Sequence, residues 1–182
     1  MAVRRSMTRL VRMKGFRSDW GDLMTIQIDS REKDRAIKQI LADFDDMGVK
    51  WFVSKLPVGD YMNMDNPKLI IDRKQNLNEL CKNVVQDHAR FARELTRAKE
   101  YGIHLVILCE HGHGITCLAD VLNWVNPRLK QSPMAVSGER LFRILSTMQC
   151  NTNQYDVEFL FCDKDETGKR IIEILGGDHA EN

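Results

Sequence analysis

The sequence predicts an α/β domain built on a central mixed sheet with helices on both faces. Helical and strand patterns alternate along the chain after an early cluster of strands. Two continuous apolar runs, at 103–110 and 157–162, have the length and composition of buried strands. A chain of 182 residues suits one compact domain with a single sizeable core.

Residues 24–29 alternate apolar and polar side chains and read as the first strand. Ser30 is the expected cap of a helix over 33–47, whose Ala36, Ile37, Ile40, Leu41 and Phe44 share one face, and Gly48 ends it. A second strand covers 49–56. Strands at 58–64 and 68–74 follow, joined by a turn at Asp65-Asn66-Pro67. Asn76 starts a helix over 77–85, and another covers about 86–101 until Gly102. After the strand 103–110 come a short helix at 118–125 stopped by Asn126-Pro127, a helix at 139–150 begun by Ser137 or Gly138, the strand 157–162 and a final helix at 167–175. The folded body is expected at 23–177, with a basic arm at 1–22 and a short tail at 178–182.

Composition narrows the class. A hydrophobic fraction of 43% and a charged fraction of 29% are ordinary for a soluble globular protein. No apolar run is long enough to cross a bilayer and no signal peptide is visible, so a cytoplasmic location is expected. The five cysteines are odd in number and widely spaced, which argues against a disulfide framework and a ribbon-type zinc site. Cys109, His111, His113 and Cys117 match no closed structural zinc spacing; His111 and His113 read as a loop that could touch a ligand beside the central strand. Net charge is +1, yet Arg4, Arg5, Arg9, Arg12, Lys14 and Arg17 crowd the arm and leave the body slightly acidic. Such an arm reads equally as a phosphate contact or a solvated tail.

The chemistry is expected in the hairpin. About a turn centred on Asn66, Asp60 and Asp72 face each other across an antiparallel pair, with Cβ atoms about 5 Å apart. Lys74, two residues on, points to the same face. Opposed like charges destabilise a sheet, and a divalent cation held between the carboxylates offsets that cost. A lysine beside the metal then stabilises charge on the attacking water or the phosphate. A solvated strand face with a salt bridge is the rival reading. Asp29 and Glu32, at the end of the first strand, could add acidic groups, and Arg31 could hold a phosphate, or they could be ordinary helix N-terminal residues. Arg90, Arg93 and Arg97 share a helix face that suits backbone phosphates or a solvated surface.

These residues carry a resemblance. Val58-Gly59-Asp60-Tyr61 followed by Ile71-Asp72-Arg73-Lys74 resembles the signature of the XPF-type nuclease domain, in which Gly-Asp precedes Glu-Arg-Lys-x-x-x-Asp. Asp29-Ser30-Arg31-Glu32 resembles that family's upstream Asp-x-Arg-Glu, and Arg90-Phe91 with Glu94-Leu95 resembles its Arg-Phe-x-x-Glu-Leu helix. The similarity spans about residues 25–175. It implies a restriction-endonuclease-like fold and Mg²⁺- or Mn²⁺-dependent cleavage of DNA, often at flaps, forks or junctions. It also implies metal ligation by Asp60, Asp72 and Asp29, catalytic roles for Lys74 and Glu32 beside them, and support of the site by Arg73, which is also a candidate DNA contact. Relatives pair as dimers, so a homodimer is expected. A non-catalytic DNA-binding scaffold and a dimeric junction resolvase are the alternatives. Three departures stand out: Asp72 replaces a glutamate, Asn78 replaces the motif's last aspartate with Glu79 adjacent, and no tandem helix-hairpin-helix module follows. The compact form resembles phage or bacterial members, which places the protein in a bacterial or phage-infected cytoplasm.

Overall fold

The computed structural model describes residues 24–177; the basic arm and the C-terminal tail lie outside the described residues. Six strands form one sheet in the order β2-β1-β3-β4-β5-β6. They are β1 (Thr25–Asp29), β2 (Lys50–Ser54), β3 (Tyr61–Asn63), β4 (Asn66–Lys74), β5 (His104–Glu110) and β6 (Val157–Cys162). β3 pairs antiparallel with both β1 and β4, and the remaining ladders are parallel. Five strands therefore run the same way with β3 reversed among them. The carboxyl ends of β1, β4 and β5 and the start of β3 then meet along one edge of the sheet. In open α/β sheets that edge is where ligands bind.

Helices α1 (Asp34–Asp46) and α5 (Thr167–Gly176) cover one face; α2 (Leu77–Val85), α3 (His88–Glu100) and α4 (Gly138–Cys150) cover the other. The division follows from the period-2 alternation of β4. Leu69 and Ile71 join Ile37, Phe44 and Ile171 in the α1/α5 layer, while Ile70 joins Leu80, Leu95 and Leu145 in the α2–α4 layer. A strand buried on both faces must be apolar on both, which explains the run at 69–71. The helices keep their apolar stripes at three- and four-residue spacing, as in Phe91, Leu95 and Ala98 of α3.

Three local expectations are corrected. Ser30 does not cap α1: residues 30–32 form a turn, Lys33 holds the N-cap position without a side-chain hydrogen bond, and Asp29 organises the turn instead. The segment 118–125 holds no α-helix but a short 3₁₀ helix, Leu118–Asn123, and a second, Pro127–Lys130, follows it. The hairpin turn lies at Met64–Asp65, with Asn66 and Pro67 already in β4. Asn63 fixes this turn, accepting from the Asp65 amide at 3.0 Å and donating to the Leu175 carbonyl. Between the pairs Asn63↔Asn66 and Met62↔Ile70, β4 carries the extra residues Pro67, Lys68 and Leu69. Pro67 has no N–H for the ladder, so a bulge there loses little. Beyond the bulge the pairs Met62↔Ile70 and Tyr61↔Ile71 restore a register symmetric about residue 66.

Gly59 delivers the chain onto this register. Its φ is +66°, and a Cβ there would stand 2.5 Å from the Ile70 side chain and 2.9 Å from the Ile71 carbonyl oxygen. Glycine alone meets both demands at low cost. Gly59→Ala is expected to lower stability by at least about 1 kcal/mol in urea unfolding, with β4 displaced from the loop; an unchanged midpoint would contradict the close packing.

Candidate active site

β4 leaves the core with charged residues on both of its faces. On the α2–α4 side these are Asp72 and Lys74; on the α1/α5 side, Arg73. All three are buried.

Asp60 lies one step beyond the Tyr61↔Ile71 pair, opposite Asp72. Its amide donates to the Ile71 carbonyl at 2.7 Å, and its Oδ2 accepts from the Arg73 amide at 2.8 Å. Backbone groups thus pin the carboxylate beside β4. The Lys74 ammonium sits 2.7 Å from both oxygens of Asp72. Its hydrogen bond is directed at Oδ1, which leaves the buried Oδ2 with no directed donor.

The electrostatics are unbalanced. Burial raises the Asp60 pKa well above the usual carboxylate range, and the charges of Asp72 and Glu32 raise it further; Lys74 and the Arg73 amide only partly oppose this. Burial alone would lower the Lys74 pKa, but the charge and hydrogen bond of Asp72, with Asp60 and Glu79 behind them, lift it above its ordinary value. Lys74 therefore remains an ammonium.

Glu94 belongs to the same surroundings. It flanks the buried Phe91–Leu95 stripe of α3, on the face turned toward β4, and is half-buried. Burial and the charge of Asp72 raise its pKa, while Lys74, Arg90 and Arg31 lower it. The sequence marks Glu94 only as part of the Arg-Phe-x-x-Glu-Leu resemblance and assigns it no place in the site. The position of the apolar stripe was the available signal, because it turns Glu94 inward and Arg90, Arg93 and Arg97 outward.

Asp29, adjacent to Asp60 through its amide's 2.8 Å bond to the Asp60 carbonyl, is fully buried, but its carboxylate is occupied. It accepts from the Arg31 amide, Nε and Nη2 at 2.8, 2.6 and 3.1 Å and from the Leu56 amide at 2.6 Å. Burial opposes its charge, but the Arg31 side chain and the two amides hold its pKa below the ordinary value. Its observed work is to tie β1 to the chain after β2 and to aim the exposed Arg31, which senses Asp60 and Glu94. Glu32 is likewise engaged, accepting from Arg73 Nη2 at 2.8 Å and from the Tyr61 hydroxyl at 3.2 Å. Arg73 also donates to Glu110 at 3.0 Å and has a side chain only 3% exposed. Its expected contact with DNA is corrected: the guanidinium locks the strand ends together on the far face of the sheet. Asn78 is exposed and lines a separate cavity with Cys81 and Arg128, so losing a carboxylate there leaves the Asp60–Asp72 pair unchanged. His111 Nδ1 accepts from the Leu77 amide at 3.3 Å, and the ring stands edge-on to those of His113 and Trp124.

Among the described residues no group of three or more His, Cys, Asp or Glu side chains is placed to enclose a metal. Two converging carboxylates nevertheless suit Mg²⁺, which keeps several waters and commonly binds through one or two carboxylates plus substrate phosphates. The undirected Asp72 Oδ2 and the only partly compensated Asp60 fit that demand.

The fold is shared with known proteins. The family model described as the ERCC4 domain matches residues 28–168. XPF from Aeropyrum pernix superposes with a TM-score of 0.57 at 18% identity, over 86% of this chain and 62% of that one. XPF from Aeropyrum pernix in complex with DNA superposes with a TM-score of 0.59 at 18% identity, over 84% and 64% respectively. The chain thus spans less than two thirds of either structure, and the likeness is one of fold. No curated protein matches it by sequence.

The Asp60 imbalance has a measurable consequence. A carboxylic acid with a raised folded pKa makes the fold less stable as pH rises through its titration, because the folded state then binds more protons than the unfolded one. Asp60→Asn keeps an acceptor for the Arg73 amide and removes the repulsion. It is expected to stabilise the protein in EDTA by about 1 kcal/mol at neutral pH, with the gain shrinking as pH falls and Asp60 takes up its proton. Urea unfolding across pH measures this; a destabilised Asn variant would refute it.

Proposed function

Because the chain belongs to the ERCC4 domain family, we propose that it is a metal-dependent DNA endonuclease that hydrolyses phosphodiester bonds to 5′-phosphate and 3′-hydroxyl ends. The observation that carries this reading is the pinned Asp60–Asp72 pair with Lys74 as a permanent cation against it.

Asp60 and Asp72 would hold Mg²⁺ or Mn²⁺. When bound, such a cation supplies a Lewis acid for the phosphate and lowers the pKa of a coordinated water. The protein's own groups then divide the remaining work. Lys74, held as an ammonium by Asp72, orients that carboxylate and offers positive charge to the phosphate as negative charge develops there. The Arg73 amide keeps Asp60 aimed at the pair. Arg31, 60% exposed and held by Asp29, stands at the mouth to receive a phosphate oxygen. Arg90, Arg93 and Arg97 lie exposed on α3, where they can take flanking backbone phosphates. Glu94 adds negative charge beside Asp72 and strengthens the demand for a cation.

The test is cleavage of labelled flap, fork, junction and linear duplex DNA in Mg²⁺, Mn²⁺ or EDTA. Cutting is expected with either metal and not in EDTA. Asp72→Asn and Lys74→Ala should each reduce the rate by about 100-fold or more, in variants whose circular dichroism confirms folding. The absence of metal-dependent cutting on every substrate would reject the nuclease reading. Activity that survives both substitutions would reject the site.

A further inference from the structure

The two faces of the molecule differ in charge. On the α1/α5 side, α1 carries Asp34, Asp43, Asp45 and Asp46 against Arg35 and Lys38, and α5 with its approach adds Asp163, Asp165, Glu166 and Glu173 against Lys164, Lys169 and Arg170. The other side is basic. Beyond Arg90, Arg93 and Arg97 of α3 it presents Arg140 and Arg143 of α4 and Arg128 and Lys130 of the second 3₁₀ helix, all exposed. Acidic groups there are fewer: Asp87 stands 3.7 Å from Arg90, Glu139 pairs with Arg143 one turn along α4, Glu79 and Glu94 are half-buried, and Glu100 is exposed at the far end of α3. Arg93, Arg97, Arg128, Lys130 and Arg140 form no ion pair among the described residues.

A shallow groove of about 310 Å³ joins the two helices, lined by His88 at the start of α3 and by Arg140, Arg143, Ile144, Thr147 and Met148 of α4. The basic face lies on the side of the sheet that carries Asp72 and Lys74, and Arg90 stands one helical turn before the half-buried Glu94 on α3.

We infer that the α3–α4 face is a track for the phosphate backbone of duplex DNA, running from the mouth of the active site across the groove between His88 and Arg140/Arg143. Its chemistry selects the duplex. Single-strand grooves interleave cations with aromatic side chains on which bases stack. This groove has no aromatic residue but His88, and the exposed Tyr101 lies beyond the opposite end of α3. Exposed guanidinium groups spread over two helices suit successive phosphates instead. The inference rests on the nuclease reading, which makes DNA the substrate, but adds a contact surface outside the reaction centre.

The test measures binding without hydrolysis. The full chain is titrated in EDTA onto a fluorescein-labelled linear duplex and onto the corresponding single strand, at several salt concentrations, and anisotropy is read. Arg140→Glu with Arg143→Glu is expected to weaken duplex binding by about tenfold or more and to lower the slope of log affinity against log salt by about 2. Lys38→Glu with Lys169→Glu, on the α1/α5 side, should change affinity by less than about twofold. Equal effects of the two pairs, no effect of the first, or no duplex binding by the wild-type chain would overturn the track. A single strand bound as tightly and weakened as much would overturn the assignment to duplex. Both arginines are exposed, and thermal midpoints verify that the variants fold. Duplex binding that depends on Arg140 and Arg143 without metal-dependent cleavage would sink the nuclease reading alone; cleavage with binding indifferent to them would sink the track alone.

Discussion

The placement of Asp60 opposite Asp72 is the constraint on which the other features depend. Opposed carboxylates at the end of a sheet repel, and nothing in their own chemistry holds them there. The backbone does. The Asp60 amide is committed to Ile71, the Asp60 carboxylate to the Arg73 amide, and Gly59 brings the chain close enough for both bonds. Lys74 neutralises one of the two charges and, with the Arg73 amide, offsets the other only in part. A site so arranged carries an electrostatic cost that the fold has to bear, as sites of function commonly do.

The alternation of β4 separates two tasks at that edge. On one face, Asp72 and Lys74 meet Asp60 and Glu94. On the other, Arg73 is clasped by Glu32 and Glu110, with the Tyr61 hydroxyl on Glu32. A lone buried arginine would be costly; two carboxylates and good geometry make it tolerable. The network joins the turn after β1 and the ends of β4 and β5, the elements that must stay in place for the carboxylates to remain opposed. Its residues lie beside the reactive pair in sequence but across the sheet from it in space.

This explains which residues could be read from the sequence and which could not. The fold class, the order of the strands along the chain and the Asp60–Asp72–Lys74 grouping all follow from local signals: apolar runs, turn residues and period-2 alternation. The register survived an error in the turn, because the bulge at 67–69 restored the symmetry about residue 66 that a turn at Asn66 would have produced. Asp29, Glu32 and Arg73 were harder to place. Their types and spacing fit metal or DNA binding, and only the tertiary structure reveals that each side chain already has protein partners. Glu94 was hidden for the opposite reason, since the direction of a helical side chain depends on where the apolar stripe docks.

The sheet order gives the site its location as well as its parts. Were β3 parallel to its neighbours, its first residue would lie at the opposite edge from the ends of β1 and β4, and Asp60 could not reach Asp72. Reversal of this one short strand brings a residue from before β3 to the end of β4, which is why a tight hairpin with its own bulge is built into an otherwise parallel sheet. The same reversal sets Asp60 next to Asp29 on β1. Asp29 can then hold Arg31 at the mouth while Lys74 holds Asp72 inside. The two cations that flank the pair are thus each fixed by a carboxylate. One of them is buried and the other exposed, so the same pair of carboxylates is bounded by a fixed charge inside the fold and by one that faces solvent.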